Sequence, residues 1–416
     1  MNFQKNPLKN FSLWEKVALT AGVLGYSAIT YKYRFQMGDF GDFVKAGSMI
    51  WENIDPYSHL MYVNSPVSAV VIFGLSKALP FLFVPFFWQL LNIIGLFLFI
   101  RCVVRTEFHR SLPVVFSIFA FLNVTRALFG NVQVTGLVLG LVAIGMILIK
   151  NGESAFISMI PIWLAAEVKP QLALGFIAIF LFQGKIQKLR IFALGLYLLI
   201  SHLVVEVMFN GDINRLWIQK LLKYSSASLR EGYEISYWKS LAISSDQTSL
   251  IRILSTLFLL ITLSAIIALT LRNRPELALL LAIVFPFQNT YLHLYDLAPI
   301  GILFILGLYS SRNIFMLIGV CLFLQFFPLT IQSQILVLIM FSLTLFLLKN
   351  RDRGNLQLLV VLATSFLIVA VITHLLRNQS QELQIANALV IPIVGILAAS
   401  SGKFLALLNP GFISSR

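Results

Sequence analysis

Residues 249–271 read SLIRILSTLFLLITLSAIIALTL, a run with one charge, Arg252, after which the chain turns abruptly to Arg272, Asn273, Arg274, Pro275 and Glu276. A helix of this length rises about 34 Å at about 1.5 Å per residue, enough to cross the roughly 30 Å hydrocarbon core of a bilayer. The rest of the chain repeats the alternation. Apolar runs bounded by charge or proline fall near 14–31, 82–100, 111–125, 131–149, 154–168, 170–183, 189–209, 276–288, 295–309, 313–328, 331–348, 355–376 and 386–402. Together they predict an all-α, polytopic integral membrane protein of about 12–14 transmembrane helices, the shorter runs setting the spread.

Of the 416 residues 58% are hydrophobic and 12% charged, with a mean hydropathy of +0.87. Average soluble domains carry about 25% charge, so an ordinary soluble enzyme is excluded, and so is disorder. Cys102 and Cys321 stand alone in apolar surroundings and offer neither a disulfide framework nor a thiolate metal site. A net charge of +14 would suggest nucleic acid for a soluble protein. Sorting by span removes that need. With the N-terminus cytoplasmic, 17 lysines and arginines, among them Arg101, Arg105, Arg110, Lys150, Arg272 and Arg274, share one face with four acids, Glu107, Glu153, Glu276 and Asp352. The other face holds ten basic residues against eleven acids, the asymmetry expected of cytoplasmic loops. No nucleic acid partner is called for. The first apolar run continues into Tyr31, Lys32, Tyr33 and Arg34 with no small-residue cleavage site and reads as a retained helix. With no internal repeat or linker, residues 1–416 read as one membrane domain, the helices of 300–416 forming its C-terminal part.

Two polar segments fall on the extracytoplasmic face, 34–80 and 210–248, and hold eight of that face's eleven acids. Within the first, Pro66 and the 13 residues Val67 to Leu79 before Pro80 are too few to span, so an interfacial helix is expected.

The candidate chemistry lies on that face. Asp39 and Asp42 sit three apart, followed by Phe43, Ala46 and Ile50 at helical spacing, with Pro56 as the stop. Asp39 reads either as the cap of a helix beginning near Phe40, with Asp42 in its first turn, or as a partly desolvated carboxylate able to act as a general base. Arg126 precedes Asn131 and Gln133, which open a span. Lys169, in Glu167-Val168-Lys169-Pro170 between two short runs, reads as an anion ligand or as the local partner of Glu167. His293, flanked by Tyr295 and Asp296, could bind a phosphate oxygen, relay a proton or anchor at the interface. His59, His109, His202 and His374 show no metal-ligand spacing, and no phosphate-binding loop or nucleophile elbow is present. Gly136 and Gly140 read as helix packing.

The order of these short motifs resembles the GT-C fold glycosyltransferases that use polyprenyl-phosphate sugars, and among them glycosyltransferase family 87, the mannosyltransferase-like group. The resemblance rests on Asp39-Phe40 with Ala46, Asp55-Pro56-Tyr57, Tyr62 with Pro66, Asn131 and Gln133, Lys169-Pro170 and Tyr295-Asp296-Leu297, and covers 37–300. Phe43, the Asn53-Ile54 pair and a single proline at 66 depart from the family pattern. The resemblance implies a GT-C-like bundle in a bacterial plasma membrane that transfers a hexose, mannose the expected sugar, from a polyprenyl monophosphate to a lipid or glycan acceptor. Asp39 would be the general base, with Asp42 in reserve. Lys169, Arg126 and His293 would hold the donor phosphate, and Tyr57, Tyr62, Asn131, Gln133, Tyr295 and Asp296 would line the substrate. The family implies no cofactor and no metal, and its partners would be donor, acceptor and membrane lipids. A flippase or transporter would carry ionisable groups at mid-membrane, but the best candidates, Glu206 and Arg252, both lie near helix ends. A polysaccharide polymerase would use the basic 210–248 segment for lipid diphosphates.

Overall fold

The computed structural model describes residues 13–33, 38–59, 62–80, 83–120, 125, 128–129, 133–184, 186–209, 211–227, 248–288, 296, 298–310 and 407–409. It is 86% helical, and the described residues form no strand. In chain order the helices are α1 (Leu13–Lys32), α2 (Gly38–Trp51), α3 (Pro56–His59), α4 (Pro66–Lys77), α5 (Val84–Val103), α6 (Leu112–Phe119), α7 (Thr135–Lys150), α8 (Ala155–Val168), α9 (Pro170–Phe182), α10 (Gln187–Met208), α11 (Ile213–Ala227), α12 (Thr248–Leu271), α13 (Pro275–Val284) and α14 (Ala298–Ser310). Helices thus stand at the apolar runs between 14 and 309, although α6 covers only part of 111–125. The expected runs 313–328, 331–348, 355–376 and 386–402 lie outside the described residues.

Three segments are long and apolar enough to cross a membrane, Val84–Val103, Gln187–Met208 and Ile253–Leu271. Half of the first is buried against its neighbours but only 17% of the other two, so α5 is central and α10 and α12 are peripheral. Leu199, Leu203, Val207, Ile253 and Ile261 are all more than half exposed on those two helices, a surface suited to hydrocarbon rather than water.

Close approach at small residues fixes the centre. A Cβ on Gly95 of α5 would strike the Gly136 carbonyl of α7, and one on Gly136 would strike the Asn92 backbone. The Asn92 side chain caps α7 from outside, its Oδ1 accepting from Gly136 N at 2.9 Å and Leu137 N at 3.2 Å while its Nδ2 donates to the Gln133 carbonyl. The next two helices are separated by one residue. Lys169 is extended (φ −155°, ψ 78°) because Pro170, at the first position of α9, disfavours a helical residue before it. Helices α8 and α9 then fold back, both packing on α7, and Phe176 of α9 meets Phe99 of α5 with ring centroids 5.2 Å apart. Glu167 to Pro170 form the tip of this hairpin.

Two expected boundaries move. Helix α2 begins at Gly38 (φ +46°), so Asp39 lies in its first turn instead of capping a helix from Phe40. It ends at Trp51, before Pro56, with Asn53 at φ +58° carrying the chain out of the helical path. Helix α4, expected as an interfacial segment, is capped by Ser65 Oγ, which accepts from Val67 N, and buries Val67, Ala69 and Ile72. It packs against α2 where Gly47 meets the Ala69 carbonyl and Phe73, and leaves Leu75 exposed.

The helix ends sort to two ends of the assembly. At one, which we call the polar end, the last residues of α1, α8 and α10 meet the first residues of α5, α7 and α9, the segment entering α14, and α2 to α4 with α11. At the opposite end Arg105 lies 4.0 Å from Glu276 and donates from Nε to Leu408 O at 3.0 Å.

Candidate functional site

Asp39 stands exposed at the polar end, in the electropositive first turn of α2, and accepts a hydrogen bond from Gln133 Nε2. Phe40 beside it is fully buried, its ring 4.5 Å from that of Trp88 on α5, so the helix start is anchored while the carboxylate stays accessible. Gln133 in turn is placed by Asn92, which grips its carbonyl. Two residues on, Thr135 opens α7 and donates from Oγ1 to Asp296 Oδ1 at 2.9 Å. Lys169 Nζ lies 2.5 Å from the same oxygen and 3.3 Å from Thr135 Oγ1. The Lys169 and Asp296 side chains are 6% and 0% exposed, so both charges are out of water and neutralise one another. Of the expected site, then, Asp39 comes together with Gln133, and Lys169 with Asp296. Arg126, Asn131, His293 and Tyr295 lie outside the described residues.

Of the readings of Lys169, the local pairing with Glu167 does not form. On opposite sides of the hairpin tip the two residues go to different partners. Glu167, 3% exposed, receives the Ser65 hydroxyl on Oε2 and faces His202 Nε2 of α10 at 3.3 Å from Oε1. His202 Nδ1 lies 2.5 Å from Asn214 Oδ1 on α11, and its ring stacks on Trp217 at 5.4 Å between centroids. Asn214 also donates from Nδ2 to Glu206 Oε2 at 2.6 Å, and Glu206 accepts from the backbone N–H groups of Asp212 and Asn214, which start α11. A second network thus runs from the loop before α4 through the tip to α11.

Tyr57 and Tyr62, expected to line a substrate, are 3% and 2% exposed. Their hydroxyls bond to Asn64 O at 3.1 Å and Ser65 O at 3.0 Å, so both hold the loop into α4. Burial raises both phenols above their ordinary value. At Tyr62 the bond to Ser68 works the other way, while the charges of Glu167 and Asp42 add to the rise. Trp217 Nε1 donates to Val63 O at 3.1 Å and Lys220 Nζ to Tyr57 O at 2.7 Å, fastening α11 over the same loop. The Asp42 carboxyl is raised by partial loss of solvation and next by the charge of Asp39, against the lowering effect of Lys45.

Sequence reasoning missed Asn92, Ser65, Thr135, His202 and Asn214. Each is a common polar residue with no local spacing signal, and only the fold brings them together. Among the described residues, no group of three or more His, Cys, Asp or Glu side chains is arranged to hold a metal ion. Comparison of the chain with known protein families, with curated proteins and with solved structures finds no match.

Proposed function

We propose that this chain is an inverting glycosyltransferase of the GT-C type, a polytopic membrane bundle that moves a hexose, mannose the expected sugar, from a polyprenyl monophosphate to a lipid or glycan acceptor on the extracytoplasmic face. One observation carries the reading. Two groups spread over more than half the chain, Asp39 with Gln133 and Lys169 with Thr135 and Asp296, gather at the polar end, the Asp39 carboxylate exposed and the Lys169 ammonium buried.

The short helices add a reason for that arrangement. Helices α8 and α9, with 14 and 13 residues, rise only about 20 Å each, against roughly 30 Å of hydrocarbon. In the proposed orientation, with their far ends at the cytoplasmic surface, their tip would stop about 10 Å below the extracytoplasmic one, a depth at which a lipid phosphate could meet Lys169 without leaving the bilayer. A charge at that depth is costly unless it has a partner or a ligand, and Asp296 with Thr135 keeps the ammonium in place.

In the proposed reaction an acceptor hydroxyl oxygen attacks the anomeric carbon in line as the bond to the phosphate oxygen breaks. Asp39 takes the hydroxyl proton, and Gln133 holds its carboxylate in position. The leaving phosphate gains negative charge, which Lys169 stabilises together with Arg126 and His293. Tyr57 and Tyr62 act by fixing the loop between α2 and α4.

The test is transfer of radiolabelled sugar from a panel of polyprenyl-phosphate sugars in membranes containing the wild type or Asp39→Asn. The expected result is transfer by the wild type and a loss of about 100-fold or more in the variant, the usual worth of a general base. Equal transfer by both would move the base to Asp42. No transfer from any donor would turn attention to the flippase and polymerase readings.

A further inference from the structure

The second network carries an assignment of its own. Asn214 Nδ2 has two acceptors, Glu206 Oε2 at 2.6 Å and His202 O at 3.1 Å, so the amide cannot be turned end for end without setting its oxygen against theirs. Its Oδ1 therefore faces His202 and can only accept, which places a proton on Nδ1. On the other side of the ring Nε2 faces Glu167 Oε1, an oxygen of a carboxylate buried to 3% exposure and without an aligned hydrogen bond among the described residues. A lone pair on Nε2 would oppose that oxygen, whereas a second proton makes an ion pair. One carboxylate faces the ring, Glu167 from α8; a second, Glu206 a turn further along α10, is bonded to Asn214 behind it, and from α11 come the neutral Asn214 and Trp217. The near-parallel indole, 18° from the imidazole plane, also favours a cation.

We infer that His202 is held as an imidazolium and is a positioning residue, a charged keystone that fixes the α8–α9 tip, and Lys169 on it, beneath α11. The ring touches α8 through Glu167 and α11 through Asn214 and Trp217, and Glu167 reaches on to Ser65 in the loop before α4. Loss of the second proton puts a lone pair against Glu167 and loosens the contact that ties the tip to α10 and α11. The inference goes beyond glycosyl transfer and does not depend on it, because it concerns how the tip is held, whatever ligand Lys169 meets.

Trp217 supplies the readout, since a stacked imidazolium quenches indole emission and a neutral imidazole does so far less. Emission of the full-length protein in lipid nanodiscs is recorded from about pH 5 to pH 9, the range in which histidine titrates. The signal of Trp217→Phe is subtracted at each point to isolate the one indole. The expected result is one brightening step as pH rises, absent in His202→Gln and moved by about one pH unit or more toward acid in Glu167→Gln, where the facing anion is gone. Hydrogen exchange in peptides covering Glu167 to Lys169 should quicken at least tenfold in His202→Gln relative to Trp217→Phe. A difference signal as bright at every pH as that of His202→Gln, or a step that Glu167→Gln leaves in place, would overturn the keystone, as would unchanged exchange at the tip. Should His202→Gln fail to fold, the wild type and Glu167→Gln decide the matter between them.

Discussion

Two ion pairs, Lys169 with Asp296 and Arg105 with Glu276, join helix ends at the two ends of the same assembly. The first is 2.5 Å long with side chains 6% and 0% exposed, and the second 4.0 Å long with side chains 40% and 44% exposed. Water and salt screen the exposed pair, so it contributes little to holding the helices together. The buried pair has given up hydration at both partners, and their mutual neutralisation offsets that cost. Equal formal charge thus sits in reach of solvent at one end and inside a buried network at the other.

The sharpest way to break this contrast is to remove one buried partner. Lys169→Met or Asp296→Leu alone should cost about 3–5 kcal/mol, because each strands an uncompensated charge. The double variant should be closer to the wild type than either single one. Thermal unfolding of the four proteins in one detergent checks both statements, and a double variant as unstable as the sum of the singles would remove the coupling on which the contrast rests.

The next effect comes from the support beneath the pair. In Gly136→Val the new side chain would press on the Asn92 backbone and push away the start of α7, with Thr135 one residue before it. Overpacking of this kind costs about 1–3 kcal/mol. The unfolding midpoint should fall accordingly, while Gly74→Val on α4, where an added Cβ meets nothing within 4 Å, should change it much less.

What could be read from the sequence divides along the same line. Helix positions were legible because a run such as 189–209 has no proline to end it early, and α10 occupies Gln187–Met208. The charge asymmetry was legible because it is a sum over many residues. Asp39, Lys169 and Asp296 drew attention as charges in unusual places, but the sequence offered Glu167 as the partner of Lys169. The fold separates those two because Pro170 bends the chain between them and each then meets a different helix. His202 was passed over because, on a long apolar helix, nothing nearby in the chain marks it. Its partners arrive from residues 35 positions before and 12 after.

Asp42 falls between the extremes, exposed but partly desolvated, with Asp39 a turn away. A carboxyl whose folded value is raised binds its proton more tightly in the folded state, so its ionisation works against folding at neutral pH. Asp42→Asn should therefore raise the unfolding midpoint slightly at pH 7. The gain should shrink as pH falls through the raised value and vanish below the ordinary value of 3.8, where both states are protonated. Midpoints of the two proteins measured across that range check the sign, and a gain that grows toward acid would reverse it.

The smallest effect is expected at the exposed pair, and it calibrates the rest. Glu276→Gln removes the carboxylate 4.0 Å from Arg105 and the single acid in the first turn of α13, but leaves the Arg105 bond to Leu408 O in place. Both lost contributions are screened, so the change should stay below about 1 kcal/mol and shrink further in high salt. The same salt series should leave the penalty of Asp296→Leu nearly unchanged, because ions do not reach a pair with its side chains enclosed by α7, α9 and the segment before α14. Unfolding midpoints at low and high ionic strength compare the two directly. A salt-sensitive Asp296→Leu would mean that solvent enters the polar end, and the buried pair would then have to be treated like the exposed one.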